Sequence, residues 1–224
     1  MCGRYTLTHD RASLSRRFSC EAGGLTLAPR YNLAPGQEGA VVVNQEGRRL
    51  RLMRWGLIPP WAKEAASGYK MINARAETVA AKPSFKGPLA RRRCLVLADG
   101  FYEWPRQAGR KAKTPFRFVL AGEEPFALAG LWERWAGPEG RAILSYTIIT
   151  TPANELIRSV HDRMPVILDP GDEEPWLDPA LRDPATLTKL LRPFPARRMA
   201  GYPVSPAVNS TANDAPALIL PVEG

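Results

Sequence analysis

A chain of 224 residues with 45% hydrophobic content can bury the core of one ordinary domain, or at most two small ones. No run of 18 apolar residues occurs and the N-terminus lacks a basic-then-apolar secretory pattern, so a membrane helix is excluded and a cytoplasmic location is expected. The net charge of +9 points to a polyanionic partner.

Residues 9–20 (HDRASLSRRFSC) place Leu14 and Phe18 four apart among polar neighbours, the spacing of a short amphipathic helix. YNLAPGQ at 31–37 reads as a turn-rich loop. AVVV at 40–43 and RLRLMRW at 49–55 read as strands joined by an NQEG hairpin turn. Two prolines break WGLIPPWA at 55–62 into loop. NARAETVAA at 73–81 reads as a helix capped by Asn73. RCLVLADGFYEW at 93–104 reads as a buried strand, a turn at Asp99-Gly100 and a second strand. Arg110 is expected in an exposed hairpin. Residues 115–120, 125–135 and 143–150 are further strands. TPANELIRSV at 151–160 reads as a helix capped by Thr151 with Pro152 in its first turn. PVIL at 165–168 is a short strand, DPATLTKLL at 183–191 a helix, and 202–221 short extended pieces. Many short strands with a few helices outside βαβ order predict an α+β class: one compact domain over 1–224, with a barrel-like, mainly antiparallel β core.

Four spots mix polar and aromatic residues in ways a plain core does not need: CGRY at 2–5, WGLIPPWA with NARAE, ADGFYEW at 98–104, and HDRMP at 161–165. Initiator methionine is normally clipped before a small residue, and cysteine is small enough. Clipping leaves Cys2 with an α-amine of pKa about 7.7–8.0 beside a thiol of about 8.5, a 1,2-aminothiol that no internal cysteine offers. With an aldehyde, such a pair forms an imine and then a five-membered thiazolidine. Aldehyde capture and amidase-type nucleophilic attack are both open to Cys2, as is no role at all. Cys20 and Cys94 are too far apart in sequence for a disulfide framework or zinc motif and read as inert thiols. Two histidines offer no obvious metal cluster, and no cofactor is expected.

Glu103 lies between Tyr102 and Trp104 in a strand, so the two aromatics share one face and Glu103 points to the other. It is either a solvent-facing glutamate or, in a cleft, a proton shuttle with a raised pKa. His161 is either a core or capping histidine or a proton donor. Asn73 is a helix cap or the holder of an N-terminal amine. Trp61 is a local anchor or an exposed wedge suited to stacking on unpaired bases. Arginine outnumbers lysine 24 to 7, and its planar fork suits phosphates. A GC-rich coding bias accounts for that ratio equally well, but not for the positive excess.

Together, MCGRY, NLAPGQ, WGLIPPWA, INARAET, CLVLADGFYEW, HDRMPVIL and YPVSPAVN (202–209) run in one order along nearly the whole chain. In that order they resemble the SRAP family (SOS-response-associated peptidase-like proteins). The resemblance implies that Cys2 becomes the mature N-terminus and forms a thiazolidine crosslink to an abasic site in single-stranded DNA. It places Asn73 beside that N-terminus, makes Glu103 an acid/base and gives His161 an assisting role. Arg4, Arg75 and Arg163 take the positions of phosphate-gripping arginines. Trp61 and Pro35 take those of a wedge where duplex must end, and Thr150 that of a strand-end threonine near the catalytic centre. Pro83 stands where some relatives place another DNA-contacting arginine, with Lys82 or Lys86 as substitutes. The implied protein is a monomer working at the nucleoid on abasic single strands and single-strand/duplex junctions, without metal, and with some lyase activity and crosslink reversal. The alternatives are a cysteine peptidase using Cys2 on its own leader, an N-terminal-nucleophile amidase, and a non-covalent single-strand binder.

Overall fold

In chain order the strands are β1 (Tyr5–Leu7), β2 (Arg30–Leu33), β3 (Glu38–Asn44), β4 (Arg48–Trp55), β5 (Asn73–Arg75) and β6 (Arg93–Ala98). They continue as β7 (Gly100–Glu103), β8 (Phe116–Leu120), β9 (Phe126–Ala136), β10 (Ala142–Pro152), β11 (Arg163–Pro165) and β12 (Met199–Pro203). The helices are α1 (Arg11–Arg17), α2 (Pro83–Arg91), α3 (Glu155–Arg158), α4 (Pro170–Leu177) and α5 (Pro184–Lys189). This computed structural model describes residues 2–105, 114–138 and 140–222, and Arg110 lies outside them. Among the described residues no helix is long and apolar enough to cross a membrane.

Five strands close a ring. β3 pairs antiparallel with β4 and β6, β6 with β9, and β9 with β10. β10 then returns to β4 through the parallel pairs Ser145–Arg54 and Tyr146–Trp55. Side chains alternate across these strands. One face sends Val41, Val43, Met53, Trp55, Val96, Leu128, Tyr146 and Ile148 into a common core. The second sheet, ordered β12-β8-β7-β1-β2, packs Tyr5, Leu33, Phe101 and Phe118 onto it. The other face, with Val42, Leu50, Leu95, Ala129 and Ile149, is covered by Leu14 of α1, Phe85 and Leu89 of α2, Trp176 of α4 and Leu187 of α5. Each such buried side chain contributes about 1.5–3 kcal/mol. The α+β class with a barrel-like, mainly antiparallel core is as expected.

Local signals hold where the partner is local. Asp10 caps α1 by accepting from the Ser13 N–H, and Asp183 caps α5 by accepting from Thr186. The β3–β4 hairpin turns at NQEG. Three expectations change. Asn73 caps no helix: Asn73, Ala74 and Arg75 pair in parallel with Ile148, Ile149 and Thr150, and turns follow until α2. Pairing with β10 overrides a weak helical preference, and Pro83 forbids a helical residue before it but suits a first turn. Thr151 and Pro152 likewise belong to β10, paired with Met164 and Arg163, and Asn154 caps the short α3 instead. Tyr31–Leu33 lie in β2, not in loop. The strand, turn and strand expected over 93–104 are present as β6 and β7, and at Asp99 the chain passes from the ring into the second sheet. Helix α4, with Gly171 and Pro175 inside it, carries no clear sequence signal.

Candidate active site

Cys2 precedes β1 and is fully buried in the core between the two sheets. Its carbonyl accepts a hydrogen bond from the Asn73 side-chain amide at 2.8 Å. The other amide atom, Asn73 Oδ1, is buried with no hydrogen-bond partner among the described residues. Burial pushes the Cys2 thiol well above its ordinary range, and the Glu103 charge raises it further. In the same core the Tyr5 and Tyr146 hydroxyls meet at 2.6 Å. Gly39 makes room for that pair, since a Cβ there would stand 2.1 Å from the Tyr5 hydroxyl oxygen. Both phenols are raised by burial, so this pair is neutral.

Glu103 reaches this site through register. β1 and β7 pair Tyr5 with Phe101, and the Tyr102 N–H donates to the Arg4 carbonyl, so Glu103 is next along the ladder toward Cys2. It is 2% exposed, which rejects the solvent-facing reading. Tyr102 and Trp104 do share the opposite face, with ring centroids 6.5 Å apart.

A second group gathers at the C-terminal end of β10, where β5 and β11 flank Thr150 on either side, opposite Arg75 and Pro165. Arg163 Nη2 donates to the Thr150 carbonyl at 2.7 Å and lies 3.3 Å from Thr150 Oγ1. The Arg163 backbone N–H donates to His161 Nδ1 at 3.0 Å. His161 is buried and also lies 3.0 Å from Asp162 Oδ1. Arg75 is exposed. Glu77, in the turns after β5, takes both Arg163 η-nitrogens at 2.5 and 3.0 Å. The Arg163 hydrogen bonds hold its carboxyl below the ordinary glutamate range, and Arg75 adds to this.

Arg4 is not part of that group. Its Nη1 donates to Asn32 Oδ1 and the Val208 carbonyl, each at 2.8 Å, and its Nη2 to the Asn209 carbonyl. Asn32 is fully buried, and its Nδ2 contacts the carbonyls of Val208, Ser210 and Asn213. The C-terminal segment is thereby fastened to β2 and to the residues between Cys2 and β1. Trp61 is 62% exposed in a loop anchored by Trp135 Nε1 on the Ala62 carbonyl. Pro35 is half-buried in the turn after β2, and Lys82 and Lys86 are exposed around the start of α2. Cys20 and Cys94 are buried free thiols.

The sequence reading missed Asn32 and Glu77. Asn32 lay in an assumed loop. Glu77 lay in an assumed helix, where nothing hints at a partner 86 residues away.

The pattern that defines the SOS response associated peptidase (SRAP) family matches residues 1–211. The abasic site processing protein YoqW of Bacillus subtilis (strain 168) is 47% identical over 222 residues, spanning 98% of this chain and 99% of that protein. The abasic site processing protein HMCES of Gallus gallus is 38% identical over 227 residues, spanning 87% of this chain and 67% of that protein. Among solved structures, a protein from Bacteroides thetaiotaomicron superposes with a TM-score of 0.89 at 26% identity, over 99% of this chain and all of that one. Another, from Bordetella bronchiseptica, gives 0.78 at 29% identity over 91% of this chain and all of that one.

Proposed function

The chain belongs to the SRAP family, and from that membership and the geometry around Cys2 we propose that it senses abasic sites in single-stranded DNA and shields them as a covalent thiazolidine crosslink. The observation that carries the reading is the Asn73 amide on the Cys2 carbonyl, with the thiol close enough to Glu103 to feel its charge. Residues 1–224 act as one domain, cytoplasmic and beside the nucleoid.

Removal of Met1 frees the Cys2 α-amine. Asn73 holds the Cys2 carbonyl, and its unpartnered Oδ1 offers an acceptor for the amine. A ring-opened abasic deoxyribose presents an aldehyde at C1′. The amine adds to C1′, and the carbinolamine loses water to give an imine. Cys2 Sγ then adds to C1′, the thiol proton passes to nitrogen and the five-membered ring closes. Glu103 moves the protons for ring opening and water loss, a role typically worth about 10²–10⁴ in rate. The closed ring has no imine through which the 3′ phosphate can be eliminated. The imine before it does, so some lyase product accompanies crosslinking. Glu103 also serves the reverse reaction, with His161 assisting. Arg75 and Arg163 hold phosphates, Arg4 adds charge while its guanidinium stays on Asn32 and the C-terminal segment, Thr150 positions Arg163, and Trp61 with Pro35 ends any duplex beside the lesion. Lys82 or Lys86 supplies a further contact.

Intact mass after mixing with abasic single-stranded DNA tests this. The expected adduct equals the protein lacking Met1, plus the DNA, less one water. Cys2→Ala should yield no heat-stable adduct, although its α-amine still forms a transient imine. A stable adduct in Cys2→Ala, or none in the wild type, overturns the reading.

A further inference from the structure

Arg163 already holds an oxyanion in the free protein, and that oxyanion belongs to the chain itself. We infer that Glu77 is a displaceable stand-in for a DNA phosphate: its carboxylate occupies the Arg163 fork until a strand binds, and a phosphate then takes its place. The inference rests on the proposed single-strand binding and concerns how that binding is restrained.

Three observations carry it. The two Glu77 oxygens meet the two Arg163 η-nitrogens side by side, the fork geometry by which arginine also takes phosphate. Arg163 does not depend on Glu77 for its place. Its backbone is in β11, paired to β10, its N–H is held by His161, and its Nη2 is held by Thr150. Glu77 is lightly held by comparison. It sits in the turns after β5 with its side chain 46% exposed, whereas that of Arg163 is 14% exposed. The pose also leaves Arg163 Nε buried with no hydrogen-bond partner among the described residues, so it is not the most satisfied one open to the guanidinium.

The location gives the contact a purpose. Asn73, which holds Cys2, and Arg75 are two residues apart on one face of β5, and Arg75 pairs with the Thr150 that holds Arg163. A strand with its lesion at Cys2 therefore runs past Arg163. In a chain of net charge +9, neutralising that arginine at rest weakens attachment to undamaged strands. The covalent step at Cys2 then retains the strands that carry an aldehyde. Glu77 is thus a positioning residue that sets selectivity through Arg163 and touches no reacting atom.

The test measures affinity for a short undamaged single strand across a salt series, for wild type, Glu77→Gln, Glu77→Asp, Arg163→Gln and the Glu77→Gln/Arg163→Gln double variant. Glu77→Gln should bind about five- to tenfold tighter. Its salt slope should steepen by about 0.7, because a displaced Glu77 no longer takes up a counterion in return. Glu77→Asp should stay near wild type. In the Arg163→Gln background the gain should vanish, which separates exchange on Arg163 from a general loss of negative charge. An unchanged or weaker Glu77→Gln overturns the inference, as does an equal gain with Arg163 removed. Should Glu77→Gln melt early, Glu77→Ser gives the same comparison. Crosslinking of abasic strand is scored separately. No wild-type adduct alongside an Arg163-dependent gain sinks the covalent reading and leaves the exchange standing, whereas no strand binding at all sinks both.

Discussion

Cys2 combines two properties that pull in opposite directions. Its thiol is buried and kept protonated by that burial and by Glu103, yet sulfur attacks as thiolate. The proposed sequence of steps resolves the conflict. The amine reacts first, and the thiol adds only to an imine already held beside it, giving up its proton as it adds. Glu103 then has two separable effects. As a charge it suppresses the thiolate, and as an acid/base it promotes the crosslink. Glu103→Gln should therefore speed alkylation of Cys2 by iodoacetamide at fixed pH. It should slow crosslinking by about 10²-fold and slow release into competitor DNA as well. Time courses of both reactions on the same preparations check this. If both rates rise, or neither moves, Glu103 is only a buried neighbour.

At the scale of elements, Asp99 joins the ring to the second sheet. It sits where β6 passes into β7, and its carboxylate accepts from Thr6 Oγ1, from the Thr8 N–H and hydroxyl, and from Arg117 Nη2. Burial alone would raise its pKa. The hydrogen bonds from Thr6 and Thr8 and the Arg117 charge outweigh it and hold the carboxyl below the ordinary aspartate value. A depressed pKa gives stability that is fully present above the unfolded value, about 3.9, and is lost as pH falls through the folded value. Asp99→Asn should cost about 2–3 kcal/mol at pH 7, with the gap to wild type closing in strong acid. Denaturant melts across the pH range measure it, and a gap that persists in acid would mean a packing cost. Elements also show where local reading fails. NARAE has the composition of a helix start, yet β10 takes its backbone as a strand, and only that pairing puts Asn73 on Cys2 and Arg75 opposite Thr150.

For the whole molecule the positive excess matters more than any one arginine. If about four phosphates are neutralised, with a slope of roughly −0.7 for each, raising salt from about 50 to about 200 mM should weaken single-strand binding about 50-fold. Fluorescence anisotropy over that range checks it, and a flat response would remove the nucleic-acid groove. Charge reversal of Arg75, which is exposed, should weaken binding more than reversal of Arg4, whose guanidinium is already committed to Asn32 and the C-terminal segment.

By itself the sequence determined what depends on neighbours along the chain. It places a cysteine directly behind Met1, caps α1 and α5 with aspartates, turns β3 into β4 at NQEG, and alternates Leu50, Leu52, Arg51 and Met53 across a strand. Its ordered motifs reveal the family. Tertiary structure alone decided what depends on partners far along the chain. β10 closes the ring on β4, which lies about 90 residues earlier. Register carries Glu103 into the buried site of Cys2, and β5 forms in place of a helix. Arg163 meets Glu77 across 86 residues. Periodicity records which way a side chain points from its own element. Which other element waits there is settled by the packing of the whole chain, where burial and ion pairing are repaid only once every strand is in place.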